Sequence, residues 1–95
     1  MKHSRKNLVY HELIGLRVRV VEHIDPSLVG VSGIVVDETQ KTLLVETKEG
    51  RRKRILKEYG VYEFRLPSGE KAIIRGFEIL GRPEDRLKQI EKTRR

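Results

Sequence analysis

The chain has 95 residues, 37% of them apolar and 37% charged, with three Tyr, two Phe and neither Trp nor Cys. That length suits one domain with a thin core and a heavily charged surface. No apolar run approaches the roughly 20 residues of a membrane-spanning helix, the N-terminus lacks the apolar stretch of a secretory signal, and without Cys there are no disulfides, Cys-based zinc sites or thiol nucleophiles.

A cytoplasmic protein without membrane contact is therefore expected. The charge balance is more informative: 21 Lys and Arg stand against 14 Asp and Glu, for a net charge of +7 and a pI near 10.0. Such an excess fits a polyanion partner, of which nucleic acid is the commonest. The excess lies in the second half and at both ends, whereas residues 16–47 are net acidic.

Taken in chain order, residues 1–6 carry no apolar side chain beyond Met1 and predict an unstructured basic tail. Asn7 is a candidate N-cap for a short helix over residues 8–14, stopped by Gly15. Tyr10, Leu13 and Ile14 share one face of that helix, which is too short to be stable undocked. From Leu16 the period changes to two, and residues 16–21 predict a half-buried strand. Asp25-Pro26-Ser27 is a turn signal. Residues 29–37 predict the next strand, curled by Gly30 and Gly33 inside it. Residues 42–47 return as its partner, and Lys48-Glu49-Gly50 turns the chain into a basic segment at 51–59. Strands are expected at 61–66, 71–75 and 77–80, separated by Pro67-Ser68-Gly69 and by Gly76. Pro83 opens a C-terminal helix with acidic residues at its start and basic ones toward its end. Only Leu87 and Ile90 give that helix an apolar stripe. About six short strands with Gly and Pro turns predict a mainly β fold, a small, strongly bent antiparallel barrel. Its extent is residues 16–81, flanked by an N-terminal extension at 1–15 and a helical tail at 82–95.

Catalytic motifs are missing. His3, His11 and His23 have no metal-ligand spacing and suit surface or capping positions. Asp37 and Glu38 begin a hairpin and, as strand neighbours, point to opposite faces, which favours a turn or a partner contact. No Ser lies in a nucleophile elbow, and no phosphate-binding Gly loop is present. The strongest signal is Arg51-Arg52-Lys53-Arg54, extended by Lys57. Four consecutive cations cannot all face a core, so they form an exposed edge suited to phosphate, joined by Arg65, Lys71 and Arg75 from neighbouring strands and by Arg17 and Arg19 from the first. Tyr62 and Phe64 fall on the core face, leaving Tyr10, Tyr59 and Phe77 as stacking platforms. That supply favours recognition of folded RNA by shape and backbone.

The segments HELIGL at 11–16, DPSLVGVSGIVVDET at 25–39, GVYEFRLPSG at 60–69 and IIRGFEILGRPEDR at 73–86 occur in the order and spacing of a known family. Over residues 7–90 the chain resembles the archaeal ribonuclease P protein component 1 family. The resemblance implies an Sm-like barrel with terminal helical extensions, in a ribonucleoprotein that removes the 5′ leader of precursor tRNA. It implies that the RNA performs the chemistry with bound Mg²⁺, while the protein binds no cofactor and supports RNA folding and substrate handling. It also implies a smaller zinc-containing protein partner, contacted through residues 8–14, the second strand and residues 83–91. Leu8, Tyr10, Leu13, Ile14, Leu87 and Ile90 are the candidate partner contacts. A ribosomal or translation-associated RNA-binding barrel, a protein-interaction module and an autonomous nuclease are the competing expectations.

Overall fold

The structure, a computed structural model, describes residues 12–82 and 84–86. Six strands follow one another: β1 (Arg17–His23), β2 (Ser32–Glu38), β3 (Thr42–Thr47), β4 (Arg52–Leu56), β5 (Gly60–Arg65) and β6 (Lys71–Arg75). All neighbours are antiparallel, and they form one open sheet in the order β4-β3-β2-β1-β5-β6. The alternation in the sequence decides which face is buried. Val18 and Val20 of β1, Val35 of β2, Leu43 and Val45 of β3, Ile55 of β4, Tyr62 and Phe64 of β5, and Ala72 and Ile74 of β6 point inward. Leu66, just past β5, joins them, so the Tyr62–Phe64–Leu66 face expected from the sequence is the core face. The Tyr62 and Phe64 rings meet edge to face, 6.4 Å between centroids.

The mainly β, six-stranded expectation holds; β1 and β5 shift by one or two residues, and three other elements differ more. β2 starts at Ser32, and Gly30 lies in the preceding turn, after a 3-10 turn at Pro26–Leu28 capped by Asp25. Gly33 does lie in β2, where a Cβ would overlap the Glu46 carbonyl of β3. The basic segment is a strand only as far as Leu56, and Lys57–Tyr59 is a 3-10 turn. Residues 77–80 do not form a strand, because Gly76–Ile79 is another 3-10 turn. The reason is packing at Gly76, where a Cβ would overlap the Lys57 carbonyl. The chain leaves the sheet there, and the Glu78 carboxylate accepts the Arg75 N–H at 2.9 Å. The two 3-10 turns after β4 and β6 thereby bring the ends of the sheet together, although β4 and β6 remain its unpaired edges.

Two register shifts that the sequence did not announce interrupt the sheet. The β1–β5 register shifts between Val20 and Glu22, and the β2–β3 register shifts between Val35 and Asp37. The second bulge has a chemical consequence. Strict alternation after Val35 would turn Asp37 inward, but the extra residue leaves Asp37 exposed and turns Glu38 inward, opposite Leu43. Glu38 is thus buried rather than a turn or partner-contact residue.

Three cationic or amide groups converge on Glu38. The Lys57 Nζ donates to Glu38 Oε2 at 2.7 Å and to the carbonyls of Thr39 and Gly81 at 2.8 and 2.9 Å, which uses all three of its protons. Arg86 Nη1 donates to Glu38 Oε2 and to the carbonyls of Ile79 and Gly81 at 3.1 and 2.6 Å, and its Nη2 reaches Glu38 Oε1 at 3.4 Å. The Leu13 N–H also donates to Oε1, at 3.4 Å. Burial holds the Lys57 ammonium below its ordinary value, opposed by the hydrogen bond and charge of Glu38. Nearby, the Tyr62 hydroxyl donates toward the Leu56 and Lys57 carbonyls at 2.8 and 3.0 Å.

Two expected site residues are corrected here. Lys57 has no exposed surface, so it is withdrawn from any phosphate. Leu13 is likewise fully buried in the core, whereas its neighbour Ile14 is 40% exposed. Residues 84–86 are helical. Leu8 and Tyr10, with most of the expected N-terminal helix, and Leu87 and Ile90 lie outside the described residues.

Replacing Glu38 by Ala leaves two buried cations without their carboxylate. Urea unfolding should show a loss of about 3–5 kcal/mol. Lys57→Met keeps the Glu38–Arg86 pair and should cost less. Burial also pushes the Tyr62 phenol well above its ordinary value of 10.0. A raised folded-state value gives stability that is complete below pH 10.0 and lost above it, because the unfolded chain releases the proton first. Denaturation between about pH 9 and pH 11 should show the wild type losing stability relative to Tyr62→Phe.

Candidate nucleic-acid interface

The outer face of the sheet carries the residues that alternate with the core. Its registers place Arg17 of β1 directly opposite Arg65 of β5, and Arg65 opposite Lys71 of β6. On the other side Arg17 faces Ile34 of β2, which faces Glu46 of β3, which faces Arg52 of β4. One line across the sheet therefore reads Arg52, Glu46, Ile34, Arg17, Arg65, Lys71. Arg52 Nε is 3.2 Å from Glu46 Oε1, an exposed ion pair. Arg17, Arg65 and Lys71 are exposed and have no carboxylate partner among the described residues. Like charges on directly paired strand positions, about 4.8 Å apart, repel. Such a row is stable in isolation only at a cost, which an anion lying along it would remove.

The remaining expected cations are dispersed. Arg19 pairs with Glu63 across β1–β5 at 3.5 Å. Arg54 donates to the Thr42 hydroxyl at 3.1 Å. Arg51 is exposed in the turn before β4, and Arg75 is exposed at the end of β6. Lys53 is half-buried between the outward-facing Arg52 and Arg54, and its charge reaches Asp25. Asp25 is held below the usual carboxylate range chiefly by the Ser27 hydroxyl and N–H, and to a lesser extent by His23 and Lys53. The Arg51–Arg54 run thus enters an edge strand at Arg52 and its charges diverge rather than forming one convergent patch; charged edges also block pairing with other sheets. His23 is structural: its Nδ1 accepts the Asp25 N–H at 3.0 Å, and Nε2 lies 3.0 Å from the Leu56 carbonyl.

An open groove of about 500 Å³ lies at this row, its lining including Arg17, Arg19, Lys48 and Arg65 with Ser32, Gly33 and Thr47. Lys48 was not a candidate from sequence, since a Lys in a turn carries no signal of its own. Guanidinium forks beside the Ser32 and Thr47 hydroxyls have the chemistry to hold phosphate oxygens. Glu46 and Glu63 also line the groove. Among the described residues no three His, Asp or Glu side chains cluster as metal ligands.

The family model described as ribonuclease P/MRP, subunit p29 matches residues 6–89. The chain belongs to this family. Over 90 residues it is 64% identical to ribonuclease P protein component 1 of Staphylothermus marinus, covering 95% of this chain and 98% of that protein. It is 54% identical to the protein of the same name from Desulfurococcus amylolyticus, covering 97% and 100%. The solved structure of Mth11, described as a homologue of the human RNase P protein Rpp29, is similar with a TM-score of 0.59 and 44% identity, over 79% of this chain and 96% of that one. The resemblance read from the sequence is therefore borne out, and this p29-family chain is a protein subunit of ribonuclease P.

If the outer row holds phosphate, replacing Arg17, Arg65 and Lys71 together by Ala should lower the slope of log K against log salt for RNA by about 2–3, at roughly 0.7–0.9 per phosphate. Replacing Arg51 and Lys53, outside the row, should change the slope less. Fluorescence anisotropy across a salt series checks both.

Proposed function

We propose that this chain is the RNA-binding, non-catalytic subunit of a ribonuclease P that removes the 5′ leader of precursor tRNA. In this reading the chain grips the RNA backbone across the outer face of its sheet. The observation that carries it is the line of Arg17, Arg65 and Lys71, opposed in register and without carboxylate partners among the described residues. The RNA, with Mg²⁺, supplies the chemistry; the protein screens phosphate repulsion and fixes local RNA geometry, so that less Mg²⁺ is needed for the fold. The open sheet, drawn together by its two 3-10 turns, is completed as an Sm-like barrel by the terminal helical segments. Those segments, with exposed Ile14 at their root, receive the smaller zinc-containing subunit. Its place of work is the cytoplasm, with precursor tRNA.

The test is reconstitution of precursor-tRNA cleavage by the cognate RNA and its other protein subunits, with and without this chain. Omission should lower the rate and raise the Mg²⁺ requirement. Full activity without the chain at every salt and Mg²⁺ concentration refutes the proposal.

A further inference from the structure

A second groove lies where the end of β1 meets the two 3-10 turns after β4 and β6. Its lining includes Ile24, Tyr59 and Phe77, with Glu22, Glu58 and Arg75. Ile24 is 73% exposed, Phe77 58% and Tyr59 48%. The floor is fixed by the backbone, since the Ile24 N–H donates to the Tyr59 carbonyl at 3.0 Å. Tyr62 and Phe64 being buried, Tyr59 and Phe77 are the exposed aromatic side chains among the described residues, and the fold brings both into this one groove.

Charge selects the occupant. Glu22 and Glu58 repel phosphate, so a nucleic-acid backbone cannot lie in the groove itself. Carboxylates do accept hydrogen bonds from exocyclic amino groups of bases, and aromatic faces stack on any base. Arg75 supplies the link to the outer row. It lies on the same face of β6 as Lys71, four residues on, about 13 Å away. A strand whose phosphates follow Arg17, Arg65 and Lys71 can continue to Arg75 and turn one base into the groove.

We propose that the Tyr59–Phe77 groove is a subsite for a single unpaired, amino-bearing nucleobase of the RNA strand held by the cation row. The proposal rests on the RNA-binding function above and adds base selection to it. Arg75 holds the phosphate beside that base, Tyr59 and Phe77 contact its faces, and Glu22 or Glu58 accepts from its amino group.

Short single-stranded oligo(A), oligo(C) and oligo(U) titrated against the full chain over a salt series provide the test. Oligo(A) and oligo(C) should bind more tightly than oligo(U). Tyr59→Ala with Phe77→Ala, both at exposed positions, should weaken the first two by between about 5-fold and 100-fold and leave the salt slope unchanged. Tyr59→Phe should retain affinity, and Glu22→Gln with Glu58→Gln should erase the preference over oligo(U). Equal affinity for the three oligomers, or an unaffected double Ala variant, overturns the subsite, and the RNA-binding function survives if the Arg17, Arg65 and Lys71 substitutions still lower the slope. Salt-independent binding by the wild type would instead sink that function itself. A double Ala variant that keeps its RNA affinity but loses another ribonuclease P protein subunit would make the groove a protein-docking surface and overturn the proposal.

Discussion

The carboxylate of Glu38 is the point on which the chain's distant segments meet. It receives Lys57 from beyond β4, Arg86 from the C-terminal segment and the Leu13 N–H from ahead of β1, while the carbonyls of Thr39, Ile79 and Gly81 accept further hydrogen bonds from the two cations. Two positive charges and one negative charge in an interior would be prohibitive without those carbonyl dipoles. A hydrophobic cluster could fill the same volume, but it would not require each segment to arrive in one register. The cluster thus does for the ends of a short chain what a larger core does in a longer one. The 3-10 turns at Lys57–Tyr59 and Gly76–Ile79 owe their contact to it as much as to Gly76.

That cluster also reorganises the surface charge. Lys57 and Arg86 belong to the basic excess on paper, but both are spent inside. Arg19, Arg52 and Arg54 are partly engaged by Glu63, Glu46 and Thr42. What remains uncommitted across the sheet is the line of Arg17, Arg65 and Lys71, with Arg75 further along β6, rather than a broad basic face. A narrow line is the more informative feature, because opposed cations on paired strands have a defined direction and spacing. The net-acidic residues 16–47 share a face with that line, and Glu46 and Glu63 lie beside it.

The sequence made the strands legible wherever alternation was clean. Val18 and Val20, and Tyr62, Phe64 and Leu66, share a face by period alone, and each is buried. It misled where a local rule was broken by packing. Nothing in VVDE marks a bulge, so Glu38 looked like a hairpin residue. Nothing in ILKEY marks Lys57 as the inward residue, because a lysine beside four cations reads as one more exposed charge. FEIL has a strand's composition but follows a glycine pressed against another turn, and it leaves the sheet.

By itself the sequence determined the β class, the basic excess and, through the order of its segments, the family. Those properties rest on composition, period and spacing, which are local and survive without knowledge of contacts. The tertiary structure alone decided which cations are available, that Arg17, Arg65 and Lys71 stand in line, and that Tyr59 and Phe77 share a groove. Each of those depends on strand register and on two bulges. Register is a relation between residues some 50 positions apart, such as Arg17 and Arg65, and shifting it by one residue exchanges the two faces of a strand.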